Sequence, residues 1–177
     1  MKHENLTYIL DEDNSRVLMV KKGMRPGDVN SGLYTLPGGG IEPQEMEVKD
    51  GKIKAARREV IEETGVIPIR ISLVGTILFN NQERMRKGNP FGQDHFVQIY
   101  RGTADYQELS IREKDIIPLW IPEYKLKDPR KYGIDMHKGD KFIFDWLGER
   151  KSFEGVITHT GEEIDYSKTY VKYSSPN

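Results

Sequence analysis

The segment Arg58-Glu59-Val60-Ile61-Glu62-Glu63-Thr64-Gly65-Val66 spans the end of the clearest predicted helix of the chain, residues 53–64. Apolar side chains recur there at helical spacing and share one face, namely Ile53, Ala56 and Val60. Gly65 suits the left-handed position just beyond a helix end. The pattern therefore predicts an amphipathic helix that ends at Thr64.

Glu59, Glu62 and Glu63 fall within one arc of about 100° beside the apolar stripe. Glu59 has like-charged neighbours at i+3 and i+4, each of which destabilises the helix by about 0.2–0.5 kcal/mol. Converging carboxylates invite a divalent cation, and a ligand set made only of oxygen favours Mg²⁺ or Mn²⁺. The alternative is a solvated helix face held by an Arg58–Glu62 ion pair.

The residues upstream, Pro37-Gly38-Gly39-Gly40, end a short predicted strand at residues 32–36. Glycines let the backbone approach a ligand closely because they carry no Cβ. Such a segment can direct a carbonyl oxygen at a metal ion or amide groups at a phosphate. We call residues 37–40 the glycine segment.

Together, the glycine segment and the acidic helix resemble the Nudix box, G-x5-E-x7-R-E-U-x-E-E-x-G-U, in which U is a bulky apolar residue. The second half matches at every defined position, and the first half matches as Gly39 followed by Glu45. Twelve residues separate Glu45 from Arg58, where the family has seven, so five are extra. We expect them in a loop near residues 47–51. A strict seven-residue spacing before Arg58 instead puts Asp50 at the position of the first glutamate of the motif. Either acid can pair with Arg58, and we favour Glu45 because its spacing from the glycines is intact.

The resemblance implies an α/β fold, a Nudix-type α/β/α sandwich with a mixed β-sheet, and we expect residues 1–177 to form a single domain. The residue pattern independently indicates a layered α/β protein, with a second amphipathic helix at residues 139–147. Residues 81–94 are predicted as a polar loop. The predicted strands are residues 6–10, 16–22, 32–36, 69–80, 95–103, 116–121, 153–159 and 164–173.

Nudix enzymes hydrolyse a pyrophosphate bond in a nucleoside diphosphate linked to another group, using a metal-activated water. By position, the resemblance implies that the catalytic set is Glu45, Arg58, Glu59 and Glu62. It also implies that Mg²⁺, with Mn²⁺ as a substitute, is bound by Glu59, Glu62, Glu63 and the Gly38 carbonyl. Many relatives place one more acid before a Trp-containing strand, and the candidates before Trp120 are Asp115 and Glu113.

Substrate contacts are expected from the glycine segment, at Gly39 and Gly40, and from nearby cations, Lys21, Lys22 and Arg25. The C-terminal half resembles the 8-oxo-dGTP diphosphatases of the family, which meet the base with a Met-Trp-Pro-Asp-Asp segment. Here the segment reads Met136-His137-Lys138-Gly139-Asp140, so Asp140 matches the second acid and His137 replaces the tryptophan. Thr35 stands at the position of a base-reading asparagine. The alternative is that Asp140 is only an acid favoured by a helix N-terminus.

Composition excludes several functions. The 177 residues contain no cysteine, so there is no disulfide framework or thiolate nucleophile. The net charge of −1 gives no reason to expect a nucleic-acid partner, and no apolar run approaches the roughly 18 residues needed to cross a membrane. His95 and His159 are interpreted as ordinary strand residues. We expect a cytoplasmic protein, either a monomer or a homodimer, with a small nucleotide as its substrate.

The leading hypothesis is a hydrolase of nucleoside triphosphates that yields monophosphate and pyrophosphate, with 8-oxo-dGTP or a related purine nucleotide as a candidate substrate. The alternatives are a hydrolase of nucleoside diphosphate sugars, ADP-ribose or dinucleoside polyphosphates, and a non-catalytic module that only binds nucleotide.

Overall fold

A computed structural model describes residues 1–11, 13, 15–24, 31–86, 89–90, 92–110 and 115–174. Residues 85–86 and 89–90 are described by their backbone alone. Two of the residues named from the sequence, Arg25 and Glu113, lie outside the described ranges.

Within these ranges the chain forms strands, three α-helices and two short 3₁₀ turns. The helices are α1 (Pro43–Glu47), α2 (Gly51–Thr64) and α3 (Lys138–Gly148), and the turns are Glu123–Lys127 and Pro129–Tyr132. The strands are β1 (Lys2–Asp11), β2 (Arg16–Lys22), β3 (Tyr34–Thr35), β4 (Arg70–Arg86), β5 (Asn89–Pro90), β6 (His95–Ala104), β7 (Ile116–Pro122), β8 (Phe153–Gly161), β9 (Glu163–Ile164) and β10 (Tyr170–Tyr173).

The strands join in one mixed sheet with the order β10-β8-β4-β6-β1-β2-β3. The β1–β6 and β4–β8 pairs are parallel, whereas the other neighbours are antiparallel. β7 also pairs with β2, in antiparallel orientation along the whole length of β2. The mixed sheet expected from the sequence is therefore confirmed.

The two longer helices cover opposite faces of this sheet. Val60 of α2 packs in a small cluster with Ile9, Leu18, Val66 and Ala104. The larger cluster lies on the other face, where α3 contributes Ile143, Trp146 and Leu147 against side chains that include Val97, Ile99 and Ile157. This arrangement is the α/β/α sandwich predicted above. Alternating strand residues supply the two cores because successive side chains point to opposite faces.

The predicted loop at residues 81–94 is wrong at residues 81–86 and 89–90, because β4 continues to Arg86 and pairs with β5 in antiparallel orientation. Polar side chains are tolerated in this extension because the adjoining segment satisfies them. The buried Asn81 donates its backbone N–H to Asp94 Oδ1 at 2.9 Å and its side-chain amide to Gln93 O at 3.1 Å. Sequence polarity alone favours a loop, but partners across the strand stabilise an extended chain here.

The position of the glycine segment follows from how β1 is paired. β1 meets β2 only at their hairpin end, through Leu10–Val17 and Asp11–Arg16. Earlier along β1, the N–H groups of Asn5 and Thr7 donate to the carbonyls of Gly39 and Pro37, both at 2.9 Å. The glycine segment is thus hydrogen-bonded to the part of the β1 edge that is not paired with β2.

Candidate active site

Arg58 of α2 and Glu45 of α1 form a bidentate ion pair. Arg58 Nε donates to Glu45 Oε1 at 3.0 Å, and Nη2 donates to Glu45 Oε2 at 3.1 Å. Paired hydrogen bonds of this kind fix orientation as well as charge, and they lower the pKa of the Glu45 carboxyl. Asp50, the other acid allowed by the spacing, lies at the start of α2 in a left-handed conformation. The structure therefore places Glu45 against Arg58.

The five extra residues are not all in a loop. Glu47 ends the short helix α1, and Gly51 begins α2, so only residues 48–50 connect the two. α1 was not predicted from the sequence. It is stabilised at its start because the N–H of Glu42 donates to Glu45 Oε2 at 2.9 Å, while Pro43 suits the first helical position. Glu45 therefore joins this extra helix to the acidic helix.

The same arginine binds two glutamates of its own helix. Arg58 Nη1 donates to Glu59 Oε1 at 2.8 Å and to Glu62 Oε2 at 2.9 Å. Burial raises the pKa of Glu59, and the charges of Glu63 and Glu62 raise it further, whereas Arg58 opposes the rise. A positive charge at this place therefore offsets the repulsion among the carboxylates.

Glu63 is buried and links the acidic helix to the glycine segment. Its Oε1 accepts a hydrogen bond from Lys22 Nζ at 2.8 Å, and its Oε2 accepts one from the Gly38 N–H at 2.9 Å. Lys22, predicted to contact phosphate, thus lies beside the acidic helix in an ion pair. Lys21 lies elsewhere, with its Nζ 5.1 Å from the centre of the Tyr34 ring.

Two glycines of the segment have no room for a side chain. A Cβ on Gly38 would lie 2.1 Å from the carbonyl oxygen of Asn5, and one on Gly39 would lie 2.6 Å from Glu59 Oε2. A Cβ on Gly40 would meet no atom within 4 Å. The close approach to the β1 backbone therefore requires glycine at position 38, whereas a Cβ at position 39 would force the Glu59 carboxylate to move and one at position 40 would be tolerated.

The donor atoms near the glycine segment suit a hard cation. They are carboxylate oxygens, and Glu59 Oε2 faces Gly39 in the space that a Cβ would fill. The described residues contain no group of three or more acids or histidines already arranged around a metal position. Arg58 and Lys22 instead supply positive charge to the three glutamates.

Asp115, the candidate for an extra acid, directly precedes β7. Its backbone is left-handed, with φ 70°, and its carbonyl accepts the Gly23 N–H at 2.6 Å. The following residue, Ile116, pairs with Lys22, whose ammonium reaches Glu63. Asp115 is therefore connected to the acidic helix through the Ile116–Lys22 strand pairing and the Lys22–Glu63 ion pair. Its role as a metal ligand stays a prediction.

A cavity of about 190 Å³ opens beside the glycine segment. Gly38 and Gly39 form one wall, and His137, Gly139 and Asp140 at the start of α3 form another. Of the remaining predicted substrate residues, Thr35 reaches the cavity indirectly by hydrogen bonding to Asp140. The other described lining residues are Glu4, Asn5, Leu6, Phe79, Asn81, Arg84, His95, Val97 and His159.

Asp140 has an unusual environment for a carboxyl group. It is buried, and its Oδ2 has no hydrogen-bond partner among the described residues. Burial raises the pKa of Asp140 to about 7, although the Thr35 hydrogen bond and the charge of Arg84 act in the opposite direction. A carboxyl group that is neutral for part of the time near pH 7 can donate as well as accept a hydrogen bond.

Sequence reasoning missed the strand residues that complete the cavity. His95 and His159, interpreted as ordinary strand residues, both line it. The His159 ring is nearly parallel to that of Phe79, at 18° with 6.4 Å between centroids. His95 Nδ1 lies 2.7 Å from Glu4 Oε2. These residues come from four different strands, so no local spacing could have joined them.

A sequence model of the NUDIX domain matches residues 1–139. The chain therefore belongs to the Nudix family. Comparison with curated proteins finds no match.

Solved structures with the same fold include proteins described as MutT. A MutT protein from Bacillus halodurans has a TM-score of 0.70 and 18% identity, with 97% of each chain covered. The NUDIX domain of Shewanella oneidensis NrtR, complexed with ADP ribose, has a TM-score of 0.59 and 18% identity over 84% of this chain and 86% of that one. A MutT NUDIX hydrolase from Burkholderia pseudomallei has a TM-score of 0.57 and 20% identity, over 81% of this chain and 95% of that one.

Among the described residues, no helix combines the length and apolar character that a membrane crossing needs.

Proposed function

We propose that this protein hydrolyses a pyrophosphate bond of a purine nucleoside triphosphate, with 8-oxo-dGTP as a candidate, to give the monophosphate and pyrophosphate. The supporting observation is that Gly38 and Gly39 border two features at once. On one side they contact Glu59 and Glu63 of the acidic helix, and on the other they line the cavity that holds Asp140. One nucleotide can therefore place its base in the cavity and its phosphates at the glutamates.

Glu59, Glu62, Glu63 and the Gly38 carbonyl would hold Mg²⁺, for which Mn²⁺ is a possible substitute. When bound, the ion supplies charge neutralisation at the phosphates and a more acidic water. Arg58 positions Glu59 and Glu62 through its hydrogen bonds, and Glu45 holds Arg58 in turn.

The proton of the attacking water needs an acceptor near the glutamates. Glu59 is one candidate because its Oε2 faces Gly39 of the glycine segment, beside the proposed metal position. Asp115 is the alternative, since it directly precedes β7, whose first residue pairs with Lys22, the partner of Glu63.

Base recognition is proposed for Asp140, supported by Thr35 and His137. Asp140 lines the cavity, and its Oδ2 has no hydrogen-bond partner among the described residues, so the carboxyl group has hydrogen-bonding capacity left for a purine edge. Because the Asp140 pKa is raised to about 7, the carboxyl can match either a donor or an acceptor on that edge. Phe79 and His159 add flat ring surface to the same cavity.

A second candidate is hydrolysis of ADP-ribose, a nucleoside diphosphate sugar or a dinucleoside polyphosphate. The observation in its favour is the fold shared with a NUDIX domain complexed with ADP ribose. A non-catalytic nucleotide-binding module is the third reading, and the presence of all three glutamates of the motif argues against it.

The test is incubation with Mg²⁺ and a panel of nucleotides, followed by separation of the products on an ion-exchange column. Pyrophosphate released from a triphosphate supports the proposal. Release of AMP and a sugar phosphate from ADP-ribose supports the second candidate. Absence of turnover with every nucleotide, with binding retained, supports the module.

Glu62→Gln and Glu63→Gln should each lower turnover by roughly 100-fold or more, because each removes an anionic oxygen from the proposed metal site. Glu62 is the cleaner position because its side chain is 47% exposed, whereas Glu63 is buried against Lys22. Glu154→Gln, on an exposed site of β8, is the matched control and should keep full activity. Normal rates in both helix variants, with folding checked by circular dichroism, would remove them from the site.

A further inference from the structure

A second cavity, of about 590 Å³, lies at the opposite end of α3 from Asp140. It is bounded by β1, β6, the turn at Glu123–Lys127 and the C-terminal half of α3. None of the described residues that line it belongs to the glycine segment, the acidic helix or the first cavity. Its chemistry is therefore separate from the reaction proposed above.

One side of this cavity is aromatic and apolar. Tyr8 and Phe144 meet edge to face, with 6.3 Å between their ring centroids. Leu10, Leu126 and Leu147 extend the same wall. A planar apolar group would bury its faces against these side chains, as ligand pockets commonly allow.

The other side is charged. Arg101, Lys127 and Arg150 outnumber the two carboxylates that also line the cavity, Glu123 and Asp145. The Tyr8 hydroxyl donates to Glu123 Oε1 at 2.6 Å, and burial raises the pKa of Tyr8, so this phenol keeps its proton. Glu123 is therefore already partnered, and the cavity has a net positive character.

Arg101 lines the cavity beside the aromatic wall. Its Nη2 donates to Leu147 O at 2.5 Å, and its guanidinium carbon lies 5.8 Å from the centre of the Tyr8 ring. Its Nε, however, is enclosed and has no hydrogen-bond partner among the described residues. Because that nitrogen has almost no accessible surface, a ligand in the cavity would meet Arg101 through the rest of its guanidinium group.

We propose that this cavity is a second ligand site, specific for a small phosphate ester carried on an aromatic ring. The ring packs against Tyr8 and Phe144, and the phosphate oxygens meet Arg101 and Arg150. The combination of a flat apolar wall and an arginine fork matches this class better than a free anion or a neutral ring. The proposal stands whether or not the reaction proposed above is correct.

The test is an NMR titration of the metal-free protein with phenyl phosphate, which monitors the arginine Nε–H signals. We expect the Arg101 signal to shift, with a dissociation constant of about 1 mM or tighter, which is modest for a ligand of this size. Inorganic phosphate, which has no aromatic ring, and benzyl alcohol, which has no phosphate group, should each bind at least fivefold more weakly.

Arg150→Gln is the variant of choice, because Arg101 also holds the end of α3. It should weaken phenyl phosphate at least fivefold, whereas Lys141→Gln, an exposed cation on the same helix, should leave binding unchanged. Asp140→Asn, in the other cavity, should also leave it unchanged. An unshifted Arg101 signal at saturating phenyl phosphate would overturn the proposal. So would weaker binding in Asp140→Asn, equal binding by inorganic phosphate, or equal binding by Arg150→Gln.

Discussion

Replacing Asp140 with asparagine removes a carboxyl group whose ionised form is destabilised by burial in the folded protein. Asp140 is buried, and its Oδ2 has no partner among the described residues. Asparagine has nearly the same shape but never ionises. We therefore expect Asp140→Asn to be more stable than the natural protein at neutral pH, and the advantage to disappear in acid.

The size of the effect follows from two pKa values. Burial raises the pKa of Asp140 from 3.8 to about 7. As pH rises from about 4, the unfolded chain releases this proton before the folded protein does, so folding stability falls until about pH 7. The full loss is roughly 4 kcal/mol, of which roughly 2 kcal/mol falls between about pH 5 and about pH 7. Between about pH 5 and about pH 7, the difference in unfolding free energy between Asp140→Asn and the natural protein should therefore grow by roughly 2 kcal/mol.

Urea denaturation of both proteins, followed by tryptophan fluorescence at several pH values, measures this difference. Asp165→Asn is the matched control because its pKa is lowered by hydrogen bonds from Ser167, so the same substitution should cost stability at neutral pH. Thr35→Val removes a hydrogen bond that opposes the rise in the Asp140 pKa, so it should extend the loss to higher pH. A difference for Asp140→Asn that stays constant between about pH 5 and about pH 7 would refute the reasoning.

Glycine substitutions test the close contacts of the site and the core. Gly39→Ala should lower turnover by roughly 100-fold, because its Cβ would lie 2.6 Å from Glu59 Oε2 and displace that carboxylate. Gly40→Ala, which meets no atom within 4 Å, should keep normal turnover, and equal rates in the two variants would contradict the geometry. Gly155→Ala would put a Cβ 2.2 Å from the Trp146 ring and should cost about 1–3 kcal/mol of stability in urea denaturation. A Gly155→Ala midpoint equal to that of Gly40→Ala would show that the core can relax there.

Local patterns were sufficient for the acidic helix and most strands. The predicted helix at residues 53–64 differs from α2 only at its start, and Gly65 has the expected left-handed backbone, with φ 75°. The strand predicted at residues 16–22 matches β2. The single strand predicted at residues 164–173 is wrong, because this segment forms two short strands, β9 and β10, with residues 165–169 between them. The features that match depend on periodicity and on end signals that act within a few residues.

Two features of the structure could not be predicted from local sequence patterns. The choice between Glu45 and Asp50 as the partner of Arg58 depended on an extra helix whose five residues carry only weak helical signals. The extension of β4 through residues 81–86 depended on partners thirteen residues away, such as the Asp94 carboxylate that accepts the Asn81 N–H.

The sequence by itself determined the family likeness, the layered α/β class and the position of three carboxylates on one helix, because each depends on short-range spacing. Only the tertiary structure decided which side chains share a cavity. Glu4, Phe79, His95 and His159 come from β1, β4, β6 and β8, and they meet because those strands lie side by side in the sheet. It also decided that Asp140 is buried, and burial raises the pKa of its carboxyl. A group's solvation is a property of everything packed around it, and its neighbours in sequence supply little of that.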